Sequence, residues 1–199
     1  MQNLAILILA AGKSSRMNSV KQLLKVNDTN LLNLAIENAV NSKAKKTYCV
    51  LGANSNRIKE YISSKNVYLI NNPSFEKGLS TSIVKGLEYI TKVDKNIEYV
   101  LIMLADQPEV DNLLLNKLID LSLNYKTKII ATSYQEKVGV PAIFPKNYFT
   151  ELLKLQGDSG AKKLITKDLT NTKVLNLKTS LIDIDTQEDY LNYLKKSKE

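Results

Sequence analysis

Directly after the apolar run Leu4-Ala5-Ile6-Leu7-Ile8-Leu9 the chain reads LAAGKSSRMNSVKQLL, residues 9–24. The small residues Ala10, Ala11 and Gly12 let the backbone come close to a ligand, and the hydroxyls of Ser14 and Ser15 and the cations Lys13, Arg16 and Lys21 follow. Such a loop serves a polyphosphate. It is not a Walker A loop, because the first glycine of G-x-x-x-x-G-K-[ST] would fall on Leu7, and it is not a dinucleotide fingerprint, which needs three glycines. Two carboxylates lie further along. Asp106 follows the most apolar strand of the chain, where a charge is costly unless paired, hydrogen-bonded or metal-bound. Asp185 ends the extended run Leu181-Ile182-Asp183-Ile184-Asp185, with Asp183 expected on the opposite side of that run. The same position also suits a cap, by Asp185 or Thr186, for a helix starting near Gln187.

The chain has no histidine and a single cysteine, Cys49, read as an inert strand residue. Ser-His-Asp and Cys-His catalysis and the usual zinc sites are therefore excluded. Any metal must be held by oxygen, and carboxylates with phosphate oxygens suit Mg²⁺. The net charge of +8 is spread along the chain, with a local cluster only at Lys195, Lys196 and Lys198. No zinc-finger, RNP or helix-turn-helix signature accompanies it, so the charge reads as solvated surface rather than a nucleic-acid site. No apolar run approaches the roughly 20 residues that span a bilayer, and the start lacks the features of a signal peptide. With one cysteine, the expected location is the reducing cytoplasm.

These residues need elements to position them. Short Val/Ile/Leu-rich runs alternate with segments of helical periodicity, which predicts a mostly parallel sheet flanked by helices. Strands are expected at about 4–9, 47–51, 67–70, 98–104 and 128–132. Helices are expected at about 30–42, 55–63, 79–90, 111–123, 147–155, 159–166 and 187–196. In such sheets ligands sit at the carboxyl ends of the strands, where Gly12 and Asp106 fall. Ser80, Thr81 and Ser82 stand at a predicted helix start, where hydroxyls cap, and Asp158 occupies a similar capping position. At 199 residues and 44% hydrophobic content, without a linker-like tract or repeat, residues 1–199 read as one domain.

Five segments in order resemble nucleotidyltransferases of the molybdenum cofactor cytidylyltransferase type, the MobA-like NTP transferases. They are L-A-A-G-x-S-x-R-M with K-Q-L-L at 9–24; Asn72-Pro73 with Gly78-Leu79-Ser80-Thr81-Ser82; Leu104-Ala105-Asp106-Gln107-Pro108; Gly157-Asp158-Ser159-Gly160-Ala161; and Asp183-Ile184-Asp185-Thr186-Gln187-Glu188-Asp189. The chain departs from that pattern at Asn18, Val140 and Lys162, where the family carries Gly, often His and often Arg.

The resemblance implies a Rossmann-like three-layer α/β fold of the nucleotide-diphospho-sugar transferase type. It implies transfer of CMP from CTP to the terminal phosphate of molybdopterin, free or carrying molybdenum, with release of pyrophosphate and in the service of a client molybdoenzyme. Lys21 and Arg16 would be catalytic cations on the triphosphate. Leu9, Ala10, Ala11, Gly12, Ser80 and Ser82 would contact the nucleotide, and Asp106 with Asp185 would hold Mg²⁺. Gln107, Pro141 and Asp158 would lie on the acceptor side, with Gln107 also readable as turn scaffolding. Ala11 stands where guanylyltransferase relatives carry glycine, which favours CTP over GTP. Alternatives are GTP as donor, a sugar phosphate or isoprenoid precursor as acceptor, or a non-catalytic nucleotide-binding chaperone; retention of Arg16, Lys21, Asp106 and Asp185 speaks against the last.

Overall fold

The computed structural model describes residues 3–14, 16, 17, 19–134, 137–177 and 181–196; Ser15, Asn18 and Lys198 lie outside these. In chain order come β1 (Leu4–Ala10), a small hairpin of β2 (Lys25–Val26) and β3 (Thr29–Asn30), α1 (Leu31–Val40), β4 (Lys46–Leu51), α2 (Ser55–Glu60), β5 (Val67–Asn71) and α3 (Leu79–Val93). Then follow β6 (Tyr99–Leu104), α4 (Asn112–Asn124), β7 (Ile129–Tyr134), β8 (Lys137–Pro145), α5 (Phe149–Leu153), α6 (Lys162–Lys167), β9 (Thr172–Asn176) and α7 (Gln187–Lys196).

Seven strands form one sheet in the order β5-β4-β1-β6-β8-β7-β9, and only β8 runs against the others. Every residue of β1 is buried, as its unbroken apolar run demands. Leu4, Ile6 and Ile8 face Ile36 of α1 and Leu115 and Leu118 of α4. Ala5, Leu7 and Leu9 face Ile83, Leu87 and Ile90 of α3 and Leu152 of α5. The result is the three-layer α/β arrangement expected from the sequence. Gly86 lets α3 lie directly on the sheet, since a Cβ there would come 2.5 Å from Leu7 Cδ1.

Two strands of the sheet, β8 and β9, add to the expected set. The run 137–145 carries Gly139, Pro141 and Pro145, which argue against a strand, yet β8 sits inside the sheet between β6 and β7. A bulge resolves the conflict. Ala131 pairs with Ala142 and Thr132 with Gly139, leaving Val140 and Pro141 out of the ladder, so the missing proline N–H breaks no rung. β9 is a short edge strand, only half-buried, and lacks an apolar run to announce it. The helix expected at 147–155 is a 3₁₀ turn followed by the short α5, and that expected at 159–166 begins at Lys162.

Because β1, β4 and β6 are parallel and in register, with Leu9 opposite Leu104 and Ala10 opposite Leu51, the loops leaving them emerge at one end of the sheet. The chain end returns to that end through a third, small apolar cluster. Ile184 joins Val26 and Leu31 there, with Tyr190 and Tyr193 of α7 packed against them, and Tyr190 Oη donates to Lys25 O at 2.6 Å.

Candidate active site

The loop after β1 is folded back on a buried amide. Gln22 Nε2 donates to Ala10 O at 3.0 Å and to Gly12 O at 3.1 Å. Ser14 takes a left-handed conformation (φ 56°), accepts from Lys21 N at 3.2 Å and donates to Gln22 Oε1 at 3.4 Å. One buried side chain thereby serves both carbonyls, and the 3₁₀ turn that starts at Lys21 is fixed beside them. Gln22 was not among the expected site residues; an amide bonding to backbone ten and twelve residues away leaves no pattern in the sequence.

From this turn the Lys21 ammonium reaches between two carboxylates, 2.6 Å from Asp106 Oδ2 and 2.9 Å from Asp185 Oδ1. Arg16 Nη2 donates to the other oxygen of Asp185 at 3.1 Å from a mostly exposed position. Burial alone would lower the Lys21 pKa, but the Asp106 carboxylate and then Asp185 outweigh it and hold the pKa above its ordinary value. Desolvation likewise opposes ionisation of Asp185, and the hydrogen bond and charge of Lys21, followed by Arg16, hold its carboxyl below the usual range. Asp106 Oδ1 is buried without a hydrogen-bond partner, which leaves a strong acceptor aimed into the site.

The capping alternative for Asp185 is resolved by its neighbour. Thr186 Oγ1 accepts from Asp189 N at 3.1 Å, while Asp189 Oδ2 accepts from Thr186 N at 2.7 Å and from Asp185 N at 3.1 Å. This reciprocal box closes the start of α7 and frees the Asp185 carboxylate for the cations. Asp106 is not a cap either, since Asp111 Oδ1 accepts from Leu114 N at 2.7 Å and caps α4. The expectation for Asp183 needs correction. It does not turn away from Asp185 but lines the same cavity and accepts from Gln107 Nε2 at 2.8 Å. Residues 181–185 form no strand, so the two-residue alternation of a strand does not apply to them. Desolvation, then the charges of Asp106 and Asp185, push the Asp183 carboxyl up, against the Gln107 hydrogen bond and Lys21.

Two cavities meet at this ion cluster. The first, about 420 Å³, lies between the loop after β1 and the start of α3, with Lys21 and Asp106 in its wall. The second, about 650 Å³, holds Arg16, Asp183, Asp185, Lys137 and Lys162. Leu9, Leu79 and Leu104 line both. Of the expected residues, Leu9, Ala10, Ala11, Gly12, Lys21, Ser82, Asp106 and Asp158 line the first. Asp158, expected on the acceptor side, lines this cavity together with the residues expected to contact the nucleotide. Ser80 lies outside this cavity, its hydroxyl donating to Gly157 O at 2.7 Å. Gln107 and Pro141 line neither cavity, although Gly139 and Val140 line the second. Ala11 is only 6% exposed, packed in the apolar cluster that Phe75 flanks. At Gly78 (φ 107°) a side chain would overlap the Gly157 carbonyl, so glycine closes this rim of the cavity. Lys13 and Glu76 pair across the mouth, both well exposed.

A small-residue loop on a parallel sheet, with a lysine and two carboxylates between adjoining cavities, defines a nucleotidyltransferase architecture. The chain belongs to the MobA-like NTP transferase domain family, whose model matches residues 6–173. It is 29% identical over 193 residues to the purine catabolism protein PucB of Bacillus subtilis, covering 92% of this chain and 91% of that one. It is 24% identical over 187 residues to the molybdenum cofactor cytidylyltransferase of Escherichia coli, covering 93% and 92%. Among solved structures, Rv0371c of Mycobacterium tuberculosis superposes with a TM-score of 0.86 at 27% identity, covering 98% of both chains. The same protein in complex with manganese superposes at 0.80 with 26% identity, covering 96% of this chain and 98% of that one. Among the described residues no helix is long and apolar enough to cross a membrane.

Proposed function

We propose that this chain transfers CMP from CTP to the terminal phosphate of molybdopterin or its molybdenum-loaded form, releasing pyrophosphate, with Mg²⁺ held by Asp106 and Asp185. The observation that carries the reading is the Lys21 ammonium flanked by both carboxylates where the two cavities adjoin. A donor nucleotide in the smaller cavity and a phosphorylated acceptor in the larger would meet there.

The donor set fits a hard divalent cation. It consists of carboxylate oxygen only, with the unpartnered Asp106 Oδ1 available. Among the described residues no three His, Cys, Asp or Glu side chains form a metal-holding group, so the remaining ligands would be phosphate and water, as is usual for Mg²⁺. Bound there, the ion supplies charge neutralisation on the phosphates. The chain does the rest. The Ala10–Gly12 backbone, held by Gln22, shapes the phosphate side of the cavity. Lys21 and Arg16 neutralise charge on the triphosphate as the acceptor oxygen bonds to the α-phosphorus and the bond to the β-phosphate oxygen breaks.

A phosphate monoester has a second pKa of roughly 6 and is largely dianionic at neutral pH, so the attack needs no strong base. A chain without histidine can run it on positioning and electrostatics. CTP as donor is supported by the name of the E. coli relative. Ala11, which lines this cavity where guanylyltransferase relatives carry glycine, is a second support for CTP over GTP. The relative named for purine catabolism favours, as client, a molybdoenzyme that oxidises a purine ring, in a reducing cytoplasm.

Molybdopterin offered with each of the four nucleoside triphosphates tests this by pyrophosphate release. The expected result is a preference for CTP in the wild type and loss of turnover in Lys21→Ala and Asp106→Ala. Equal turnover of GTP and CTP overturns the donor assignment, and an unimpaired Asp106→Ala removes the metal site.

A further inference from the structure

Asp185 sits on residues 181–185, between β9 and α7, where the backbone forms neither helix nor strand. No ladder aims its carboxylate, so its position depends on ties to neighbouring groups. Besides the Lys21 and Arg16 contacts and the Asp189 bond at the start of α7, three ties run to the turn after β6, which carries Asp106. Ile184 N donates to Asp106 O at 3.0 Å. Gln107 Nε2 donates to Asp183 Oδ1 at 2.8 Å. Ile182 N donates to Glu109 Oε2 at 3.0 Å.

The last differs from the others. It is a side chain gripping the backbone of the segment, through a charge-assisted bond. The second oxygen of the same carboxylate, Oε1, accepts from Lys196 Nζ at 2.9 Å, in the last turn of α7. Glu109 thus holds both ends of the stretch that carries Asp185, and the Thr186–Asp189 box links Asp185 rigidly to α7 between them. Its side chain is 21% exposed and lines neither cavity, so it touches neither nucleotide nor acceptor.

We infer that Glu109 is a positioning residue for the divalent-cation site, keeping Asp185 beside Asp106 by holding Ile182 N–H and the Lys196 ammonium at once. The inference rests on the reading that Asp106 and Asp185 hold the metal. Its signature is selective: metal affinity falls while nucleotide affinity does not.

The test titrates Mn²⁺ into the full chain and follows the free ion by electron paramagnetic resonance, for wild type, Glu109→Ala, Glu109→Gln, Asp106→Ala and Asp185→Ala. Glu109→Ala is expected to weaken Mn²⁺ binding by roughly 10–100-fold, the usual cost of losing a group that orients a ligand. CTP binding measured in EDTA should stay within about twofold of wild type, because Lys21 keeps its contact with Asp106 and the Gln22-held loop after β1 does not depend on Glu109. Glu109→Gln keeps an acceptor for Ile182 N and should stay within about threefold of the wild-type Mn²⁺ affinity. In the pyrophosphate assay, Glu109→Ala should need more Mg²⁺ for half-maximal rate yet recover kcat at saturating metal.

If Glu109→Ala binds Mn²⁺ like wild type while Asp106→Ala and Asp185→Ala do not, the inference is overturned and the metal reading survives. If Asp106→Ala and Asp185→Ala also bind like wild type, the metal reading itself falls, and this inference with it. Equal weakening in the Ala and Gln variants, with a matching loss of Tm, reduces Glu109 to a structural residue and overturns the proposal.

Discussion

Replacing Lys21 by Met keeps most of the aliphatic stem and removes the charge between Asp106 and Asp185. At about 3 Å and an effective dielectric near 20, each contact is worth roughly 5 kcal/mol of bare Coulomb energy, most of it offset by desolvation. Breaking fully buried pairs costs about 3–5 kcal/mol and exposed ones about 0–1. Lys21 is 16% exposed and Asp185 39%, which places the loss between these limits, about 1–3 kcal/mol, or about 3–10 °C in Tm for a chain of this size. The two carboxylates then face each other with only the exposed Arg16, on Asp185, in compensation, so added Mg²⁺ should restore more stability to Lys21→Met than it adds to wild type. Activity should behave oppositely. If the ammonium also meets the triphosphate, kcat falls by about 10²–10³ and saturating Mg²⁺ does not recover it. Scanning fluorimetry with and without Mg²⁺, alongside pyrophosphate release, reads both effects. A variant that keeps more than about a tenth of wild-type kcat, or whose metal-free Tm equals that of wild type, refutes the reasoning.

Gln22→Leu strands the carbonyls of Ala10 and Gly12 and should cost about 1–3 kcal/mol in urea unfolding, with a raised KM for CTP; an unchanged KM would detach the loop from nucleotide binding. Asp183→Asn keeps an acceptor for Gln107. Because the Asp183 pKa is raised in the folded state, its ionisation weakens folding once pH rises through the unfolded value of roughly 4, so the variant should have the higher Tm at pH 7. That advantage should vanish below the window, and a Tm gap independent of pH would contradict the assignment. Thr186→Ala removes half of the capping box and should cost about 1 kcal/mol by denaturant titration, whereas Asp185→Ala leaves the cap in place.

The parts of this site legible in the sequence were those with local chemical signals. An apolar run ending in Ala10-Ala11-Gly12, and a carboxylate two residues after Tyr99–Leu104, stand out because buried strands tolerate few other residues there. β8 stayed hidden because Gly139 and Pro141 argue against a strand unless the bulge opposite Ala131 and Thr132 is known. Asp183 was assigned to the wrong side because strand alternation was assumed for a segment that forms no strand. Gln22 and Glu109 act on backbone groups distant in sequence, and no spacing rule connects them to their partners.

The site's two carboxylates are held by different forces, and this difference should be measurable. Asp106 hangs from β6, whose neighbours β1 and β8 bury it in the sheet. Asp185 depends on α7, a helix with no fully buried residue, tied down by Ile184, Tyr190 and a few hydrogen bonds. Elements with little buried surface open at lower free energy than the core, so α7 amides should exchange with deuterium well before those of β1. If opening of α7 also carries Asp185 away from Asp106, any ligand needing both carboxylates must slow that opening by mass action. With free Mg·CTP at a hundred times its dissociation constant, α7 exchange should slow by about 100-fold, equivalent to about 2.7 kcal/mol. Asp185→Ala should abolish most of that protection, and its ligand-free α7 should exchange faster than in wild type because the Lys21 and Arg16 contacts are lost. Slowing that persists in Asp185→Ala, or α7 exchange indifferent to Mg·CTP in wild type, would mean that the chain end and the metal site are not coupled.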